Sequence, residues 1–330
     1  MRKIITALLL ALMLVATIGT ASAHFTMVFP SDDENMWDVA PEDYIAELGE
    51  EKTIYIMWGH PYEHISFDVS SIPEVTITKP DGTTETLTVE ETTVEGMDED
   101  GNDGTFVAYK TSFTIDQMGD TVIAVKYEDG EEELIDYTKA VIHCGEEMWV
   151  GWDREVGQET EIVPYMRPYG MEEGFVFAGQ ALHNDEPLAD ADVEIEIYHD
   201  LEEGKMVVEE AEEMYPYDAP MVFTRLTKSN AQGEFSYTLD EPGIWFVGAT
   251  MEPESGKATR GVFIIPVIEE FPAEDANGNY AELQQEVDEA KQLAQEAKES
   301  AESTTESAPG FEGILAIAAI VGAIFLSRRK

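Results

Sequence analysis

Six histidines are few enough in 330 residues to weigh one at a time. His24 follows Ala21-Ser22-Ala23, a small-residue cleavage site preceded by the apolar stretch Ile4 to Ile18 and the basic pair Arg2-Lys3. Removal of residues 1–23 as a secretory signal peptide would leave His24 as the first residue. Its α-amine and imidazole could then chelate a single metal ion, with no chain entropy spent on bringing two ligands together. Both groups are neutral or readily deprotonated near pH 7. His60 and His64 stand in Trp58-Gly59-His60-Pro61-Tyr62-Glu63-His64, directly after a predicted strand. Their i, i+4 spacing would suit one helical face, but Pro61 drives His60 towards extended backbone. A loop is therefore expected, with Gly59 letting the chain bend and Glu63 adding a carboxylate. His143-Cys144 ends another predicted strand, where neighbouring side chains point to opposite faces. His143 could complete the set, and Cys144 reads as a small buried hydrophobe. The expected site is thus His24, His60, Glu63, His64 and His143. Imidazole and amine donors suit nickel, cobalt, copper or zinc better than calcium or magnesium. Solvated surface imidazoles are the alternative, and His183 and His199, at strand ends in the second run, are expected to be solvated or structural.

Other chemistry is sparse. Asp98-Glu99-Asp100-Gly101-Asn102-Asp103-Gly104 imitates the start of a calcium loop, but Tyr109 stands at the twelfth position where such a loop needs glutamate. It reads as a hairpin loop. No nucleophile elbow, phosphate-binding glycine loop, zinc-protease helix or dinucleotide fingerprint occurs, so no enzymatic activity is expected. One cysteine excludes an internal disulfide framework.

The elements that must position these residues are strands. Lys52 to Trp58, Glu74 to Lys79, Thr84 to Glu90, Phe106 to Ile115, Thr121 to Tyr127 and Leu134 to His143 carry the β pattern, with Pro80-Asp81-Gly82 as a turn. A second run follows in Phe175 to His183, Val193 to Tyr198, Met221 to Thr227, Phe235 to Leu239, Ile244 to Met251 and Ala258 to Val267. The pattern predicts an all-β chain of two consecutive β-sandwiches of immunoglobulin-like or transthyretin-like type, residues 24–152 and 153–270. Leu201 to Ala219 reads as a glutamate-rich insertion with helical character. Residues 271–308 read as a helical stalk and polar spacer, because Leu283, Val287, Ala290, Leu293 and Ala297 recur near a 3.5-residue period. The net charge of −50 excludes a nucleic-acid partner and suits a salt-adapted surface.

Residues 309–330 begin Pro309-Gly310-Phe311-Glu312, continue through an apolar run from Gly313 to Leu326, and end Ser327-Arg328-Arg329-Lys330. This tail resembles the PGF-CTERM sorting signal of archaeal surface proteins. The resemblance implies removal of the tail by an archaeosortase-type enzyme and a membrane lipid in its place. The alternative is a plain transmembrane tail anchor, and both hold the body on the outer face of the cell membrane.

His24-Phe25-Thr26-Met27, Gly59-His60-Pro61-Tyr62-Glu63, Thr76 to Gly82, Glu161-Ile162-Val163-Pro164, Gly179 to Val193, Ala231 to Phe235 and Pro242 to Trp245 recur in this order in one family. Over residues 24–268 the chain resembles the NikM-like extracytoplasmic proteins associated with nickel transport, a domain-of-unknown-function group. That resemblance implies metal binding by His24, His60 and His64, with delivery to an uptake permease in the membrane. Two other functions fit the residues: a metal-free envelope or adhesion module, and, more remotely, a copper oxidase with a histidine brace.

Overall fold

Apolar strand segments, several of them buried along nearly their whole length, carry most of the body, and nineteen strands form among the described residues of the computed structural model. These residues are 24–31, 37–130, 132–146, 148–214, 224–253 and 255–270. The expected signal peptide, stalk and C-terminal tail lie outside them. No described helix is long and apolar enough to cross a membrane.

Three sheets are present. The first runs β1 (Phe25–Ser31), β3 (Glu51–His60), β4 (Ile65–Phe67), β7 (Glu90–Met97) and β8 (Asp103–Thr114), and one edge of β3 is shared between β4 and β8. The second is larger, ordered β16 (Arg225–Lys228), β15 (Asp192–Ile197), β18 (Gly243–Met251), β19 (Ala258–Ile268), β10 (Leu134–Cys144), β9 (Gly119–Asp129), β5 (Glu74–Thr78) and β6 (Thr84–Leu87). Short strands β2 (Ile45–Ala46) and β12 (Met171–Glu172) add to β10 and β19. The third holds β11 (Thr160–Pro164), β13 (Phe175–His183), β14 (Glu186–Pro187) and β17 (Glu234–Leu239).

The all-β class holds, but the two halves are not separate sandwiches. β10, from the first half, pairs in parallel with β19, from the second, over Leu134↔Ala258 to Lys139↔Phe263. The central sheet therefore runs without a break across the expected boundary after Trp152. Its two faces serve two cores. Ile123, Val125, Ala140, Ile142, Phe246, Val262 and Ile264 join the core shared with the first sheet. Val122, Val141, Trp245, Val247, Phe263, Ile265 and Val267 join the core beneath the third sheet. Strands buried on both faces read as continuous apolar runs. Such runs do not reveal which strand lies beside which, and this is why chain order suggested two successive units.

The glutamate-rich insertion forms helix α1 (Leu201–Met214), capped where Asp200 Oδ1 accepts the backbone N–H groups of Glu202 and Glu203 at 2.8 Å each. Gly204 on this helix sits against the loop after β3, where a Cβ would meet the Glu63 carbonyl oxygen at 2.7 Å.

Candidate functional site

The end of β3 and the start of β1 meet because the two strands pair antiparallel with Phe25 opposite Gly59. This register carries His24 past the strand end to His60, and their ring centroids lie 4.4 Å apart in an edge-to-face arrangement. His24 also packs edge-on against Phe67 at 4.5 Å and Trp58 at 5.5 Å. Each ring has its own carboxylate. His60 Nδ1 lies 2.8 Å from Glu63 Oε2, and His24 Nδ1 approaches Glu132 Oε1. His60 Nε2 is buried without a hydrogen-bond partner. The centre is shallow, with 17% of each histidine side chain exposed.

The chain reverses tightly between His60 and Ile65. His64 takes the left-handed conformation (φ 58°), which a non-glycine residue adopts only under local constraint. Its ring consequently turns away from His60, packs at a tilt against Trp37 with centroids 4.4 Å apart, and points Nδ1 at the His199 carbonyl, 3.1 Å away. Burial lowers the His64 pKa below the ordinary imidazole value. His199, expected to be solvated or structural, is buried and bonds back to the Tyr62 carbonyl at 2.8 Å. His64 is thus a packing element of the loop, and its i, i+4 spacing from His60 has no bearing on a shared ligand.

His143 does not join the pair either. Its neighbours Ile142 and Cys144 face the first core, so His143 faces the opposite side of the central sheet. There Nδ1 lies 2.7 Å from the buried Asp120 carboxylate, and the ring stacks on Tyr169 at 4.3 Å. Cys144 is a buried free thiol with its pKa raised by burial. Asp98 closes the β7–β8 hairpin, its Oδ1 accepting the N–H groups of Asp100 and Asn102.

Of the five expected ligands the fold unites three, His24, His60 and Glu63. It adds Glu132, which lies in an ordinary acidic turn and gave no sequence signal. Arg260 and Asp136 are not among the expected residues either, although both stand inside strands that are otherwise largely buried. Arg260 donates to the His24 carbonyl and to Asp136, and Asp136 Oδ2 accepts the Thr26 N–H at 2.9 Å. Among the described residues no three His, Cys, Asp or Glu side chains are grouped so as to hold a metal ion.

A family model described as a domain of unknown function, DUF4198, matches residues 21–252, and one for the PGF-CTERM motif matches residues 308–330. No curated protein matches the chain. Among solved structures, a Ca2+-stabilised adhesin with which an Antarctic bacterium binds ice is 10% identical. The alignment covers 76% of this chain and 50% of that one, with a TM-score of 0.22. The Salmonella α-2-macroglobulin is 11% identical over 75% of this chain and 15% of its own, with a TM-score of 0.23. Fibronectin(III)-like modules of Clostridium thermocellum CbhA are 12% identical over 74% of this chain and 95% of theirs, with a TM-score of 0.20. The chain thus spans about half of the first of these, and overlaps of this size carry no functional argument.

Proposed function

The chain belongs to the DUF4198 family, a domain of unknown function, and from the histidine pair inside that domain we propose that it captures a divalent transition-metal ion at the cell surface. The PGF-CTERM motif makes it an extracellular protein, processed by an archaeosortase-type enzyme and held to the membrane at its C-terminus. The observation that carries the proposal is the 4.4 Å approach of the His24 and His60 rings, delivered by the β1–β3 register.

After cleavage behind Ala23, two imidazoles and one α-amine supply three nitrogen donors, so a third ligating side chain is not required. A six-membered chelate on His24 uses the amine and Nδ1, and the ion would replace Nδ1's contact with Glu132. The Glu132 carboxylate beside His24 would add an oxygen donor. The buried, unpartnered Nε2 of His60 supplies the other nitrogen, with Nδ1–H held by Glu63. That is the carboxylate–histidine–metal pattern, in which the outer carboxylate fixes the tautomer and raises ligand basicity. The donor chemistry suits nickel, with cobalt, copper and zinc as neighbours. The chain is proposed to pass the ion to an uptake permease without transforming it.

Calorimetric titration of nickel into the mature chain beginning at His24 tests this. A Kd of about 1 μM or tighter is expected, and it should be lost in His24→Ala, in His60→Ala, and when one residue precedes His24. Equal binding in all four proteins, or none in the first, refutes the proposal.

A further inference from the structure

β1 is an edge strand of the first sheet, and the two-residue repeat turns the backbone groups of His24, Thr26 and Val28 away from β3. An unpaired edge inside a core must find other partners. Two neutral side chains meet part of that need. Tyr44 donates its hydroxyl to the Val28 carbonyl at 3.2 Å, and Thr138 donates to the Thr26 carbonyl at 3.3 Å. At the His24 carbonyl and the Thr26 N–H the partner is instead a buried cluster of charges. Arg260 lies between Asp136 (Nε to Oδ1, 2.9 Å) and Glu194 (Nη1 to Oε2, 3.1 Å), and its guanidinium covers the Phe25 ring at 4.3 Å. Arg260 and Asp136 are each 1% exposed and Glu194 5%. Removing three charges from water costs desolvation that a hydroxyl cap avoids. Edge capping alone does not call for such a cluster.

We infer that Arg260, with Asp136 and Glu194, is a positioning residue for the metal-binding amino end, an inference that rests on the function proposed above. A chain that starts at His24 would ordinarily fray there. Two of the substituents on the His24 Cα are held here. The carbonyl accepts from Arg260, and the ring is wedged against Trp58 and Phe67. Tetrahedral geometry at Cα then fixes the direction of the third, the α-amine. Asp136 reinforces the hold by accepting the Thr26 N–H. The charged cluster thus fixes the α-amine of His24 relative to the ring that meets His60.

The test compares the mature chain beginning at His24 with Arg260→Lys and with the triple variant R260M/D136N/E194Q. The lysine keeps the charge but cannot bridge all three partners, and the triple variant removes every charge at once. Nickel affinity by calorimetry is read together with amide hydrogen exchange. The expected result is a nickel affinity at least about tenfold weaker in both variants, with faster exchange at Thr26 and unchanged protection at Ile54 and Ile56 in β3. Wild-type affinity in a folded variant overturns the inference, as does an unchanged Thr26 amide. Loss of protection throughout β3 in both variants assigns the cluster to stability and overturns it too. A wild-type chain that binds no nickel refutes the parent function, and the inference falls with it.

Discussion

Gly59 decides whether the histidine pair can exist, and Gly59→Ala is the sharpest perturbation of this site. A Cβ built at Gly59 would lie 2.0 Å from the Ile65 carbonyl oxygen, 3.0 Å from its carbon and 3.2 Å from the Met27 methyl. Real Cβ contacts do not fall below 3.0 Å, so β4 must retreat by about 1 Å. The obstacle is backbone, which has no rotamer to change. β4 pairs with β3 only through Trp58↔Phe67, Gly59↔Ser66 and His60↔Ile65, so a shift of that size endangers the whole ladder. Overpacking costs about 1–3 kcal/mol, and each lost hydrogen bond about 0.5–1.5 kcal/mol. A destabilisation of about 2–5 kcal/mol is expected, a large share of the 5–15 kcal/mol typical of a folded domain. Urea unfolding of the full mature chain measures it, with Gly101→Ala as control. At Gly101 a Cβ would meet nothing within 4 Å and would add only the strain of φ 77°, so about 1 kcal/mol is expected there. Phe67 packs on both histidine rings, so nickel affinity should fall with the ladder. A loss under about 1 kcal/mol, with nickel binding intact, would refute the steric argument.

His64 and Lys139 give two further expectations. His64 has its pKa lowered by burial, so above about pH 6.5 both folded and unfolded forms are neutral and the stability it permits is fully present. As pH falls below that value the unfolded chain takes up the proton first, and stability declines until the folded form is protonated too. His64→Asn keeps a residue that tolerates positive φ and should flatten this part of the stability–pH curve; identical slopes in urea titrations at pH 5 to 8 would disprove it. Lys139 is 1% exposed, 2.5 Å from Glu161, and its pKa is lowered by burial. Lys139→Met strands a buried carboxylate and should cost about 3 kcal/mol. This is the low end of such losses, because Glu161 also accepts N–H groups from Val156, Gly157 and Gln158. K139M/E161Q should recover part of it, and a urea midpoint unchanged in K139M would contradict the expectation.

How much could be seen in the sequence follows from the range of each interaction. Many of the longer strands, the Pro80-Asp81-Gly82 turn and the helical insertion at Leu201 rest on local periodicity and turn chemistry, which the residues state directly, whereas β1, β7 and β11 are not among the expected strands. His24 and His60 are expected together from their donor chemistry alone; the strand that brings them together, β1, is not among the expected strands, and its pairing with β3 is seen only in the fold. His64 was misjudged because its direction depends on a left-handed residue and on Trp37 and Tyr198 from distant segments. His143 was misjudged because alternation tells which residues share a face, but not which core that face meets. Glu132 reaches His24 only because the turn before β10 packs beside the start of β1, and the Arg260–Asp136 contact depends on the parallel pairing of β10 with β19, which no local pattern encodes. The same pairing undid the expected two-sandwich division.

That pairing also determines how the molecule bears load. β19 is the last described strand before the segment that leads to the membrane attachment, so any drag on the exposed body is transmitted through Ile268 into it. It is no peripheral ribbon to be peeled off one rung at a time. It is gripped by β18 through nine residue pairs and by β10 through six. Tension along the strand works across these bonds in shear, stressing them together. The tether thus grips the body by an interior member of its broadest sheet.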